Sequence, residues 1–195
     1  MNPLPESAIQ QLFEHARTPK AWQNKEVEPA LLVQLYNLVK LAPTSGNCQP
    51  GRFAFLTHVV SKEKLRSALS TGNVDNALSA PVIAIIAQDP LFYEELPRLY
   101  PEAELRSWYA EDIPFAEETA SRNSTLQGGY FIMAARALGL DVWPMSGFDN
   151  SMVDSLFFEE QGWHSNLLLC LGYAKQDQQD ERLPRLEFED ACLML

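Results

Sequence analysis

The stretch 41-LAPTSGNCQPGRF-53 joins two segments of opposite character. Before it, Leu31, Leu35, Leu38 and Ala42 recur at helical spacing with Leu32, Tyr36 and Val39 beside them, and Pro29 suits a first turn. A broad-faced core helix therefore runs in from Glu28. After it, Arg52 to Val60 reads as a strand. Pro43 and Pro50 end the helix and set the direction of the chain. Between them Thr44, Ser45, Asn47 and Gln49 offer hydrogen-bond donors and acceptors around Gly46, which leaves room for close approach. Such a loop suits a flat molecule with polar edges, or serves as a solvated connector.

Toward the N-terminus, Ile9, Leu12, Phe13 and Ala16 share one face of a helix. Arg17, Thr18 and Lys20 follow within four residues around Pro19, a set that can grip a phosphate or complement the helix C-terminus. Past the first strand, a short surface helix over 62–70 is capped by Ser61, and Asn73 and Asn76 then lie one helical turn apart. Asparagines there act as caps or contact a ligand. The almost uniformly apolar run from Pro81 to Asp89 marks a strand buried on both faces, at the sheet's centre. From Asp89 to Ile113, prolines and aromatics without a period predict broken helix and loop, a lid or a partner-facing excursion.

Phe115 to Leu138 is the longest predicted helix, with Leu126, Tyr130, Met133 and Ala137 in register and Gly139 as its stop. Gly128 and Gly129 in its middle imply close approach by another helix, across a dimer axis, or by a ligand. Glu118 and Arg122 have the spacing of an exposed ion pair. A short strand, Asp141 to Trp143, precedes PMSGF at 144–148, whose Gly147 permits an unusual backbone angle. An amphipathic helix from Asn150 to Glu160 and a core strand from Asn166 to Ala174 follow. The tail from Glu181 carries Arg182 and Arg185 around a proline and either decorates the surface or reaches a distant site.

At 195 residues, 46% hydrophobic and 21% charged, the chain predicts one folded domain over 1–195. A formal charge of -11 disfavours nucleic acid and anionic membranes as partners. Cys48, Cys170 and Cys192 fit neither a disulfide framework nor a zinc site. His15, His58 and His164 share no metal-ligand spacing, so no metal is expected. No secretory leader or membrane span is evident, which points to the cytoplasm. A glycine-rich dinucleotide fingerprint, a Walker loop and a hydrolase elbow at Ser146 are all missing, so redox work would fall to a bound cofactor.

Five segments in order, ARTPK at 16–20, PTSGNCQPGRF at 43–53, GNVDNALSAP at 72–81, PMSGF at 144–148 and ERLPR at 181–185, resemble the nitroreductase family of flavin mononucleotide (FMN) enzymes. The resemblance implies α+β subunits with a mixed or antiparallel sheet flanked by helices, paired as a homodimer that exchanges C-terminal arms around flavin at the interface. By the same carry-over Arg17, Thr18 and Arg182 would hold the phosphate, with Lys20 a weaker candidate. Ser45, Asn47 and Gln49 would serve ribityl chain and ring, Asn73 the ring's polar edge, Pro144, Met145, Ser146 and Gly147 its other side, and Asn76 is a further cofactor-binding candidate. NADH or NADPH would be co-substrate, with hydride passing by turns through the flavin. LRSWYA at 105–110, AEETASRNS at 116–124 and PMSGFD bring the chain nearest the branch that reduces malonic semialdehyde in pyrimidine breakdown. A broad nitro- or quinone reductase, or a flavin-binding protein without turnover, are the alternatives. Many family members carry an acidic residue at Ser146 and a lysine at Asn76; without that lysine, backbone amides or Arg17 must face the charge of the reduced ring.

Overall fold

The computed structural model describes residues 2–195. At its centre is an antiparallel sheet in the order β1-β2-β4-β3, with β1 Gly51–Leu56, β2 Val82–Gln88, β3 Asp141–Met145 and β4 His164–Gly172. Residues Val82 to Ala87 are buried throughout, and their side chains alternate between two core layers. Val82, Ala84 and Ile86 join Leu35, Val39, Phe131 and Ala135 on one face, from α2 (Pro29–Val39) and α7 (Ile113–Ala137). Ile83, Ile85 and Ala87 join Leu65, Ala77 and Val153 on the other, from α3 (Val59–Leu65), α4 (Val74–Ser79) and α8 (Asn150–Phe157). The fold is α+β, and of the mixed and antiparallel alternatives the sheet takes the second.

The α7 helix organises the rest. Asp112 caps it by accepting from the Phe115 N–H at 3.1 Å, Pro114 sits in its first turn, and Gly139 follows at a left-handed φ of 79°. Phe131 stacks on Phe53 and Phe55 at 5.7 and 6.1 Å, locking the helix to β1. The remaining helices are short: α1 Glu6–Ile9, α5 Leu96–Leu99, α6 Arg106–Ala110 and α9 Phe188–Ala191.

Several expectations shift. The strand expected over 52–60 ends at Leu56, because its partner β2 begins only at Val82, straight after Pro81, which has no N–H for a ladder. Val59 therefore starts α3, with His58 in place of Ser61 at its N-cap. Around α2 the expected Leu35 and Ala42 are buried together with the flanking Leu32 and Val39, whereas Leu38 and Tyr36 are 41% and 44% exposed. The α7 register was likewise assigned to the wrong face: Leu126 and Tyr130 are 44% and 43% exposed, while Asn123, Ser124 and Gln127 are buried. Gly128 lies against Leu167 and Ile86 of the sheet and Gly129 against open space, so neither meets another helix of this chain. PMSGF is not all loop, since Pro144 and Met145 belong to β3.

The excursion over 89–114 folds into a satellite core. Phe92, Tyr93, Leu96 and Tyr109 enclose Cys48 together with Ala116 and Ala120 of α7. Its role is to back the 44–49 loop.

Gly172 ends β4 beneath two rings. A Cβ there would lie 2.6 Å from Pro81 Cδ and 2.9 Å from Trp22 Cε3, neither of which can swing aside. Gly172→Ala should cost about 1–3 kcal/mol by overpacking, read as a lower midpoint of urea unfolding at unchanged slope.

Candidate functional site

The loop over 44–51 is held in a shape its sequence would not choose alone. Gly46, Asn47 and Gln49 all have left-handed φ, at 53°, 51° and 41°. Glycine adopts that region freely and asparagine tolerates it, but a glutamine there costs on the order of 1–3 kcal/mol. Buried amides of α7 hold it in place. Asn123 Oδ1 accepts from the Ser45 N–H at 2.9 Å, and Gln127 Oε1 accepts from the Gly51 N–H at 2.8 Å. Within the loop, the Gln49 N–H donates to Thr44 Oγ1 at 3.1 Å, and the Gln49 amide donates to Asn47 Oδ1 at 2.8 Å. Asn47 Nδ2 donates to the Leu99 carbonyl at 2.8 Å, which ties the loop to the excursion.

Arg52 completes the frame. Its guanidinium donates to the Gln49 carbonyl at 2.9 Å and pairs with Asp89 at 2.7 Å. Beneath the loop Cys48 is fully buried, and burial pushes its thiol up to about 11, partly offset by the Thr44 hydroxyl. Cys48 is thus a neutral packing residue. A hollow of about 820 Å³ opens beside Gln49, Arg52, Phe53 and Trp163.

A second group gathers segments from both ends of the chain. Asn76 Nδ2 donates to the Pro19 carbonyl at 3.0 Å, and the Trp22 indole donates to the Asn76 carbonyl at 3.1 Å. One turn earlier, Asn73 Nδ2 donates to the Gly147 carbonyl at 3.3 Å, and the Ser70 N–H donates to the same oxygen at 3.1 Å. The 16–22, 70–76 and 144–148 segments are therefore neighbours. Met145 turns its side chain into the core and offers only backbone here, whereas Pro144, Ser146 and Gly147 are exposed.

Beyond Pro19 lies a hollow of about 210 Å³ lined by Arg17, Thr18, Arg136, Arg182 and Arg185. Arg17 donates to the Glu14 and Ala16 carbonyls at 2.7 and 2.9 Å. Arg182, from the far end of the sequence, donates to the carbonyls of Phe13, Glu14 and Ala16 at 2.6, 3.0 and 3.2 Å. Lys20 is engaged by Asp180 at 2.7 Å, which pins the tail. Arg185, which the sequence pairs with Arg182 on the tail, lines the same hollow, and so does Arg136, which reads in the sequence as an ordinary cation in the last turn of a helix. This hollow and the one beside Gln49 share no lining residue, so Gln49 and the Arg17, Thr18 and Arg182 group face different hollows of the chain. Among the described residues no three of His, Cys, Asp and Glu are grouped to hold a metal ion.

Comparison with known proteins bears on this arrangement. The nitroreductase family profile matches residues 1–173. A protein of Stutzerimonas stutzeri (strain A1501), provisionally named "NADH dehydrogenase/NAD(P)H nitroreductase", is 50% identical over 192 residues, 98% of each chain. The chain belongs to the nitroreductase family. Two solved structures share its fold at low identity. One is from Bacillus subtilis, with TM-score 0.87, 20% identity and 98% and 100% of the two chains covered. The other, from Exiguobacterium sibiricum 255-15 in complex with FMN, has TM-score 0.81, 18% identity and full coverage of both. The family match ends at Tyr173, so Arg182 and Arg185 lie beyond it.

The residues present fit a flavin mononucleotide. The arginine hollow suits a phosphate, and the Asn76 amide is bonded to the carbonyl of Pro19, the residue after Thr18 of that hollow. Asn76 Oδ1 is a buried oxygen with no hydrogen-bond partner among the described residues. Its orientation is fixed, because the Pro19 carbonyl can only accept and so claims the Nδ2 side. What remains is an acceptor suited to a hydroxyl of a polyol chain.

Replacing Gln127 by leucine should leave the buried Gly51 N–H unpaired and cost about 1–3 kcal/mol. Denaturant unfolding measures it, with faster amide exchange over 44–51 as the local signature.

Proposed function

We propose that this protein is an FMN-dependent oxidoreductase that draws on NADH or NADPH to reduce malonic semialdehyde to 3-hydroxypropionate. The observation that carries the reading is the convergence of Arg17 and Arg182, from opposite ends of the chain, on one hollow beside Asn73 and Asn76. The name of the Stutzerimonas relative and the FMN held by the Exiguobacterium protein support the class of chemistry. The redox chemistry such a flavin supplies is hydride exchange, first with the nicotinamide and then with the substrate.

The chain's own residues bind and orient. Arg17, Thr18 and Arg182 hold the phosphate by charge-assisted hydrogen bonds. The free Oδ1 of Asn76 accepts from a ribityl hydroxyl, and Asn73 with the Pro144 to Gly147 backbone meets one edge of the ring. Arg17 is committed to the phosphate end, so no cation faces the ring from Asn76 or Ser146, and backbone amides are left to meet its charge. A nitro- or quinone reductase of broad range is a second reading, favoured by the relative's name.

Ser45, Asn47 and Gln49 reach the same flavin if they come from a second copy. The homodimer has support in unspent surface: Leu126 and Tyr130 of α7 and Leu41 face outward, β1 is an edge strand, and the tail ends in exposed Leu193, Met194 and Leu195. In solution the mass should be twice 22.0 kDa. Deleting residues 181–195 should release monomer that no longer retains flavin; a truncated protein that stays dimeric would refute arm exchange.

Reconstituted with FMN, the protein should turn yellow, bleach anaerobically on addition of NADH or NADPH, and recover its colour with malonic semialdehyde. Colour that the nicotinamide fails to bleach would mark a flavin-binding protein without turnover, and failure to take up FMN would end the reading. Turnover faster on a nitroaromatic than on the semialdehyde would favour the broad reductase.

A further inference from the structure

The chain has nine arginines. Arg52, Arg66, Arg98, Arg106 and Arg122 are each paired with a carboxylate. Arg17, Arg136, Arg182 and Arg185 have no such partner among the described residues, and these four line one hollow. In a chain of net charge -11 carboxylates are plentiful, yet none is within ion-pair distance of these four guanidinium groups among the described residues. Like charges so placed repel unless an anion is shared among them. Two carboxylates, Asp180 and Glu181, also line the hollow; Asp180 is taken by Lys20, and Glu181 makes no ion pair with any of the four arginines.

Within this group Arg136 differs from the rest. It rises from the last turn of the 25-residue helix α7, whereas Arg17 sits on a loop and Arg182 and Arg185 on the tail. It is half-buried, and burial together with the neighbouring Arg182 lowers its affinity for a proton, against a smaller opposing pull from Asp141. One guanidinium nitrogen donates to the Leu12 carbonyl at 3.0 Å, which fixes the plane of the group and leaves its other donors for the hollow.

We propose that Arg136 is a specificity-determining residue of the flavin site, the fixed cation that selects the phosphorylated flavin over riboflavin. This rests on the reading that the site holds FMN. A preset fork meets a phosphate without losing further freedom, while the arginines of loop and tail close over it. Riboflavin, with the same ring and chain and a neutral end, gains nothing from Arg136.

The test is fluorescence titration of flavin-free protein with FMN and with riboflavin, for the wild type, Arg136→Met and Arg136→Lys. Loss of a charge-assisted contact should weaken FMN binding by Arg136→Met about 10- to 100-fold and leave riboflavin unchanged. Arg136→Lys should restore part of the difference. An equal loss for both ligands would show that Arg136 acts only by holding Leu12, and no loss for either would show that it does not meet the phosphate; each overturns the proposal. Should Arg136→Met fail to fold, the FMN-to-riboflavin affinity ratio of Arg136→Lys decides, since a ratio equal to that of the wild type refutes the role. Failure of the wild type to bind either ligand overturns the FMN reading, and this inference with it.

Discussion

Two amide side chains hold the 44–51 loop of this protein in place. Asn123 and Gln127 lie buried on α7, each with its oxygen on a backbone N–H of the 44–51 segment. A buried amide is costly unless bonded, and so is a buried N–H, so each pair is stable only as a pair. The loop then carries three left-handed residues in four, and the excursion closes behind it around Cys48. Rigid helix, strained loop and satellite core are one mechanical unit, and its rigidity is what a preorganised binding surface needs.

Charge is distributed with similar economy. Most arginines are neutralised by nearby carboxylates, several of them exposed pairs that contribute little to stability. The four without a carboxylate gather where N-terminal segment, α7 and tail meet. Guanidinium groups of α7 and the tail reach main-chain carbonyls of the N-terminal segment at Leu12, Phe13, Glu14 and Ala16, beside the Lys20–Asp180 pair. The same atoms that order the termini therefore create the local positive field of an otherwise acidic molecule.

Much of the fold was legible where composition alone decides. The run from Val82 to Ala87 reads as a central strand because burial on both faces removes any need for polar residues. The inward side of α2 was legible in Leu32, Leu35 and Val39, but the face of α7 was not. On α7 the inward side carries Asn123, Ser124 and Gln127, which any hydropathy pattern assigns to the surface; what buries two of them is bonding to a loop more than seventy positions away. At the site, Arg17, Thr18 and Arg182 could be nominated because short spacing and family likeness single them out. Arg136 could not, since a cation near a helix C-terminus needs no further explanation until its neighbours are known.

The sheet's two flanks are unequal. On β3 the outermost strand carries Pro144, a residue without an N–H to offer an arriving neighbour, while β1 across the sheet has none. Growth by strand addition is thus blocked on one side and open on the other. A sheet with a single receptive margin has no second edge from which strand addition could propagate into a filament.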